Sequence, residues 1–154
     1  GVGVDPRDLT GLLRPVRSLA NQDNRKEIMN KERIHTDQAP AAVGPYSQAA
    51  EANGFLFLSG QVGLNPETGT LVEGGLTAQA EQVLRNISAV LSARGLSFSN
   101  VVKTTIFLTD MNDFKSVNEV YSRVLGEHRP ARSTIQVAGL PLGAVVEIEM
   151  TAAV

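Results

Sequence analysis

Apolar residues recur at three- and four-residue spacing in two stretches of this chain and alternate with polar ones in several others. Leu76, Ala80, Val83, Leu84, Ile87, Val90 and Leu91 form the first stripe, which predicts an amphipathic helix over about 77–94 with Gly95 as its stop. Phe114, Val117, Val120, Tyr121, Val124 and Leu125 mark the buried face of a second helix, with Asn112 or Asp113 as N-cap and Gly126 at its end. The remaining apolar runs are short and strand-like. "RIHTD", "SQAAEA" and "FLFLSGQV" precede the first helix, and Asn53-Gly54 is a strong hairpin signal between the last two. "NPETG" at 65–69 reads as a turn, since proline presets one dihedral and glycine permits a positive φ. "VVKTTIFLT" lies between the helices, and "RSTIQVA" and "AVVEIEMTAAV" follow them. In the last, Val146, Ile148 and Met150 alternate with Glu147, Glu149 and Thr151.

The outline is ββαβαββ. Two helices this amphipathic need a sheet face to cover, which predicts an α+β domain with both helices on one side. Ala, Val, Ile and Thr occupy both parities of the strands, so the other face is expected to be buried against a second copy of the chain.

Residues 1–30 do not share this patterning. A short apolar stripe of Leu9, Leu12, Leu13 and Val16 is interrupted by Pro15, and a polar run follows. Arg7, Arg14, Arg17 and Arg25 suit a targeting remnant, while Asp5 and Asp8 do not. Met29 is a plausible original start. The expectation is a leader, targeting remnant or appended segment over 1–30 and one folded domain over 31–154.

Composition narrows the chemistry. At 154 residues, 42% hydrophobic and 19% charged, the chain fits one globular domain. The net charge of −2 argues against a phosphate-binding surface, and so against nucleic acid. The absence of cysteine removes disulfides, thiol nucleophiles and cysteine–zinc sites, and suits a reducing compartment such as the cytoplasm, or an organelle if 1–30 is a targeting remnant. No apolar run reaches the length of a membrane helix. His35 and His128 stand apart, with no partner at metal-ligand or triad spacing, so neither a metal nor another cofactor is expected.

Five local features could carry chemistry. Arg132, fixed in its approach by Pro130, enters a strand; its planar fork suits a carboxylate, and an ordinary surface ion pair is the alternative. Glu147 lies on the parity opposite to Val146 and Ile148, in a strand expected beside that of Arg132. It could orient a water or take its proton, or simply mark a solvated face. Tyr46 follows a Gly-Pro turn and could stack on a ligand or fill an interface. Ser59 and Gly60 end a hydrophobic strand where backbone can approach a ligand. Asn118, beside the buried stripe of the second helix, needs either partners or an interface.

Together, "APAAVGPYSQA", "FLFLSGQVGLNPETG", "VVKTTIFLTDMNDFKSVNEVY", "PARSTIQVAGLP" and "VEIEMTA" closely resemble the reactive-intermediate deaminase family, also called Rid or YjgF. The likeness runs from about Arg33 to Val154. It implies a chorismate-mutase-like fold with a mixed sheet, a homotrimer with ligand clefts between subunits, and hydrolysis of 2-imino acids to 2-oxo acids and ammonia without a cofactor. The 2-imino acids 2-iminopropanoate and 2-iminobutanoate, released by pyridoxal-phosphate enzymes, are the expected substrates. By position it implies that Arg132 grips the substrate carboxylate and that Glu147 holds the attacking water. Tyr46, Ser59, Gly60, Asn118 and Thr134 would line the cleft. Thr134 stands where many members have cysteine. The rival readings are a ligand-binding regulatory module on the same fold and a ribonuclease or translation inhibitor.

Overall fold

The structure, a computed structural model, describes residues 32–154. The expected segment 1–30 lies outside the described residues. Seven strands and two helices follow in the order β1 (Glu32–Ile34), β2 (Ala49–Ala52), β3 (Phe55–Leu58), β4 (Gln61–Val62), α1 (Gly75–Ala93), β5 (Val101–Leu108), α2 (Phe114–Leu125), β6 (Ala131–Gln136) and β7 (Val146–Ala153). This is the expected outline with two additions: four short strands precede α1 rather than two, because β1 forms at Glu32–Ile34 and β4 breaks away from the end of β3.

Local chemistry explains most boundaries. Asn53 and Gly54 take φ of 51° and 77°, the left-handed pair that a two-residue hairpin requires, and β2 pairs with β3 across them. Gly95 at φ 73° ends α1 through its N–H bond to the Ser92 carbonyl. The start of α2 differs from expectation. Asp110, rather than Asn112 or Asp113, supplies the side-chain cap; it accepts from the Asn112 N–H at 2.9 Å and begins a short 3₁₀ turn that leads into the helix.

The strand order is β1-β2-β3-β7-β5-β6, with β4 also paired to β7. β5 and β6 are parallel and the other pairs antiparallel, so the sheet is mixed. A parallel pair needs a crossover, and α2 provides it between β5 and β6. Both helices cover one face. Val83, Leu84, Ile87, Val90 and Leu91 of α1 and Val117, Val120, Tyr121 and Leu125 of α2 share one core with Ile106, Leu108, Val146, Ile148, Met150 and Ala152. Phe114 and Val124, read as part of the buried face of α2, are instead exposed. Phe114 is the first helical residue, at the rim of the sheet.

Three buried polar side chains pin loops to this core. Gln48 donates to the carbonyls of Thr36 (3.0 Å) and Pro40 (2.9 Å) and accepts from the Thr36 N–H (2.7 Å). Gln79 of α1 accepts from the Val145 N–H at 3.0 Å, and Asn86 donates to the Leu64 carbonyl at 2.9 Å. Buried groups that make their bonds avoid the desolvation penalty of leaving them unmade. The two α1 residues thereby fix the chain on either side of the β4–β7 pair.

The face away from the helices carries Phe55, Phe57, Phe107, Ile135, Glu147 and Glu149. Phe55, Phe57 and Ile135 are exposed there. Among the described residues no helix is long and apolar enough to cross a membrane.

Candidate functional site

The sequence-predicted site residues fall into two groups on opposite faces of the sheet. Arg132 pairs with Thr104 and Thr134 with Ile106 in the β5–β6 register. Paired residues share a face, and Thr104 and Ile106 point into the helix-covered core, so Arg132 and Thr134 lie on the helix side. Glu147 pairs with Phe107 of β5 and Val62 of β4, on the other face. The expected adjacency of their strands is not observed: β5 lies between β6 and β7, because β7 fills the centre of the sheet by pairing with β3, β4 and β5. Within one chain Glu147 therefore does not reach Arg132.

Arg132 lines a depression of about 520 Å³ with Asn118, Tyr121, Ser122, Arg129 and Pro130. Its guanidinium carbon sits 5.0 Å from the centroid of the Tyr121 ring and 5.8 Å from that of Phe114. No side-chain hydrogen bond or ion pair engages it among the described residues, so none of those residues takes up its five N–H donors. The ordinary alternative for an arginine at a strand entrance, a surface ion pair, is not what the described residues contain. Asn118 stands in the same depression, half-buried. Thr134 leaves a buried hydroxyl oxygen without a partner, which is a cost unless another group supplies the bond. Arg129 adds a second cation, its side chain donating to the carbonyls of Gly126 and His128. It went unrecognised in the sequence because nothing distinguishes it from a solvated arginine until the α2–β6 loop folds back.

Glu147 lines a larger cleft of about 940 Å³, shared with Tyr46, Ser59, Gly60 and Glu149 and rimmed by Val43 and Leu142. Tyr46 is 54% exposed and is turned toward this cleft by Gly44, at φ 132°, whose carbonyl accepts from the Tyr46 N–H at 2.9 Å. The Ser59 hydroxyl donates to the Ser47 carbonyl at 2.6 Å, tying the Tyr46 loop to the end of β3 and leaving the Ser59 oxygen able to accept. Gly60 is required by close approach: a Cβ there would stand 2.0 Å from Glu147 Oε1. The carboxylate rests against bare backbone. Burial raises the Glu147 carboxyl above its ordinary value, and the charge of Glu149 pushes in the same direction. Glu149, the other carboxylate among the described residues of this cleft, was legible as an exposed partner on the same parity but not as an influence on Glu147.

The two regions offer different chemistry: a guanidinium whose N–H donors the described residues do not engage, and a carboxyl whose proton affinity burial raises. His35 pairs with Asp37 at 2.9 Å and His128 contacts the Val101 carbonyl at 2.7 Å; neither lines the depression or the cleft. Among the described residues no three His, Asp or Glu side chains gather at metal-binding distance.

The family model described as Endoribonuclease L-PSP matches residues 36–154. Reactive Intermediate Deaminase A, chloroplastic, of Arabidopsis thaliana is 54% identical over 124 residues, covering 80% of this chain and 66% of that protein. The 2-iminobutanoate/2-iminopropanoate deaminase of Mus musculus is 52% identical over 119 residues, covering 77% of this chain and 88% of the relative. The crystal structure of a putative endoribonuclease from Thermotoga maritima superposes with a TM-score of 0.78 at 50% identity, covering 80% of this chain and 97% of the other.

Proposed function

This chain belongs to the endoribonuclease L-PSP family, also known as YjgF or Rid, and from that premise we propose that it hydrolyses reactive 2-imino acids to 2-oxo acids and ammonia. The substrates are small, such as 2-iminopropanoate and 2-iminobutanoate, the compounds in the names of its mouse and human relatives. The observation that carries the reading is Arg132: a guanidinium held by the rings of Tyr121 and Phe114, with no hydrogen-bonded partner among the described residues. A planar fork so presented binds a carboxylate through two parallel bonds.

The reaction needs little beyond placement. A protonated imine carbon is electrophilic without a metal or a thiol. Water adds to it as Glu147 takes the water's proton, giving a 2-amino-2-hydroxy acid. Glu147 then returns that proton to the nitrogen, the C–N bond breaks, ammonia leaves, and the carbon–oxygen double bond of the 2-oxo acid forms with loss of the hydroxyl proton. A carboxyl whose proton affinity is raised by burial suits both halves of this exchange. Holding the imine by its carboxylate beside a fixed water converts an encounter in solution into an oriented one, which contributes several kcal/mol, roughly.

The separation of Arg132 from Glu147 within one chain makes a second copy part of the proposal. A head-to-tail contact lays the Arg132, Asn118 and Thr134 edge of one protomer against the Tyr46, Ser59, Gly60 and Glu147 cleft of the next. Such a contact repeats, and forms a ring where its rotation closes. Closure at three copies gives a homotrimer with three clefts and covers Phe55, Phe57 and Ile135. The compartment is the cytoplasm or, with residues 1–30 as a targeting segment, an organelle, as the chloroplastic relative illustrates.

Ribonuclease action, implied by the family's description, draws no support from the site. Net charge is −2, and neither described histidine lines the depression or the cleft. The deciding assay follows ammonia release from a 2-imino acid generated in situ by an amino-acid oxidase, with an RNA digestion run in parallel. Acceleration over the uncatalysed rate, with intact RNA, is expected. An unchanged ammonia rate with bound 2-oxo acid would leave only a regulatory binding module.

A further inference from the structure

Arg132, Thr104 and Tyr121 form a closed circuit. Arg132 pairs with Thr104 across the parallel β5–β6 ladder. Thr104 is fully buried, and its hydroxyl oxygen accepts a hydrogen bond from the Tyr121 hydroxyl at 3.0 Å. The Tyr121 ring in turn lies 5.0 Å from the Arg132 guanidinium carbon, and the exposed ring of Phe114 lies 5.8 Å away. Each contact fixes a different degree of freedom: the ladder sets where the arginine backbone stands, the hydroxyl bond sets where the ring stands, and the rings set where the guanidinium stands.

We infer that Tyr121 and Phe114 are positioning residues for carboxylate recognition, acting only through Arg132. The inference rests on the reading of Arg132 as the carboxylate anchor. A guanidinium anchored by an aspartate or glutamate would have its donors occupied and its charge balanced before substrate arrived. An aromatic face attracts the cation through its quadrupole while accepting no N–H bond in the plane of the fork. The edge of the guanidinium therefore stays open for a bidentate carboxylate, and four rotatable side-chain bonds are restricted in advance of binding. Tyr121 is buried and would be read as a core residue from its place in the α2 stripe; its phenol fills the core and its ring face serves the anchor.

The test separates affinity for the carboxylate from turnover. Steady-state kinetics with a 2-imino acid generated in situ are measured beside the Kd for 2-oxobutanoate by calorimetry, in full-length protein. Phe114→Leu removes an exposed ring at little cost to folding, Tyr121→Leu removes the buried one, and Tyr121→Phe keeps the ring while deleting the hydroxyl. Loss of one ring should raise both KM and the 2-oxobutanoate Kd about three- to tenfold with kcat nearly unchanged. Tyr121→Phe should restore most of that affinity even where its melting temperature is lower. A merely structural role would instead lower the melting temperature of Tyr121→Leu and Tyr121→Phe alike and leave KM and Kd of the folded protein unmoved. That result, or a Phe114→Leu variant indistinguishable from wild type in both constants, overturns the inference. Arg132→Lys, run alongside, keeps the two questions apart. If it abolishes 2-oxobutanoate binding while the ring variants bind normally, the anchor stands and the aromatic seat falls. If Arg132→Lys binds normally, the anchor itself falls and the seat with it.

Discussion

Around Arg132 the protein holds a charge beside aromatic faces, its hydrogen bonds unmade among the described residues; around Glu147 it holds a charge against the bare backbone of Gly60 and leaves it poorly solvated. The first region sits on the helix side at the sheet edge, and the second on the open face over the central strand. Neither is at rest as a piece of an ordinary surface. An arginine with uncommitted donors asks for an anion, and a carboxyl with raised proton affinity asks for a proton or a cation. On the proposed reading the first would hold the carboxylate of a substrate, and the second the water that attacks its imine carbon. On the proposed reading one chain supplies two complementary halves of a site, and the sheet keeps them apart.

The largest expected effect comes from the Glu147 half. Glu147→Gln should lower kcat by about 10²- to 10⁴-fold, because an amide is a poor proton acceptor, with KM close to that of wild type. The same variant should be more stable than wild type at neutral pH. Burial raises the folded carboxyl's proton affinity above that of the unfolded chain, so the folded state loses stability as pH rises from the ordinary carboxyl value through the raised one. The gain in melting temperature should therefore shrink as the solution is acidified and vanish where Glu147 is protonated in both states. Calorimetric scans across that range check it, and a gain that grows on acidification would reverse the sign of the burial argument.

The Arg132 half predicts a different signature. Arg132→Lys keeps the charge but loses the fork, so the carboxylate is held at one point and the imine carbon leaves the line of attack. On the order of 10²-fold of kcat/KM should be lost, measured as ammonia release at matched circular dichroism. Near-full activity would remove the clamp from the account. The smallest effect belongs to Thr134→Cys, which should stay within about twofold of wild type because the two side chains are close in size. A larger loss would mean that the orphaned hydroxyl itself bonds the ligand.

Much of this was legible before any coordinates. The stripe from Val83 to Leu91 fixed α1 because a 3.6-residue period admits one buried face, and Asn53-Gly54 fixed the β2–β3 register because few other pairs tolerate its dihedrals. Arg132 and Glu147 were each legible as unusual charges on strands. Their separation was not. Strand order depends on pairings between residues far apart in sequence, and no local pattern says that β7 inserts between β3 and β5. The two-residue β4 fell below the length at which alternation can be seen. Gln79 and Asn86 read as polar-face residues of α1, since periodicity records which positions are polar but not that a loop has folded over them. Tyr121 was hidden for the opposite reason, as an apolar position doing what the stripe required.

The central claim, that a working site takes Arg132 from one copy and Glu147 from another, is tested most directly by mixing two inactive variants. Arg132→Lys and Glu147→Gln protomers are unfolded together, refolded at equal ratio and assayed for ammonia release from a 2-imino acid. In random assemblies roughly one cleft in four unites the native arginine of a Glu147→Gln protomer with the native glutamate of an Arg132→Lys protomer. Activity should return to about that fraction of wild type, far above either variant alone. A mixture no more active than its two components would contradict the claim and confine the reacting groups to a single chain.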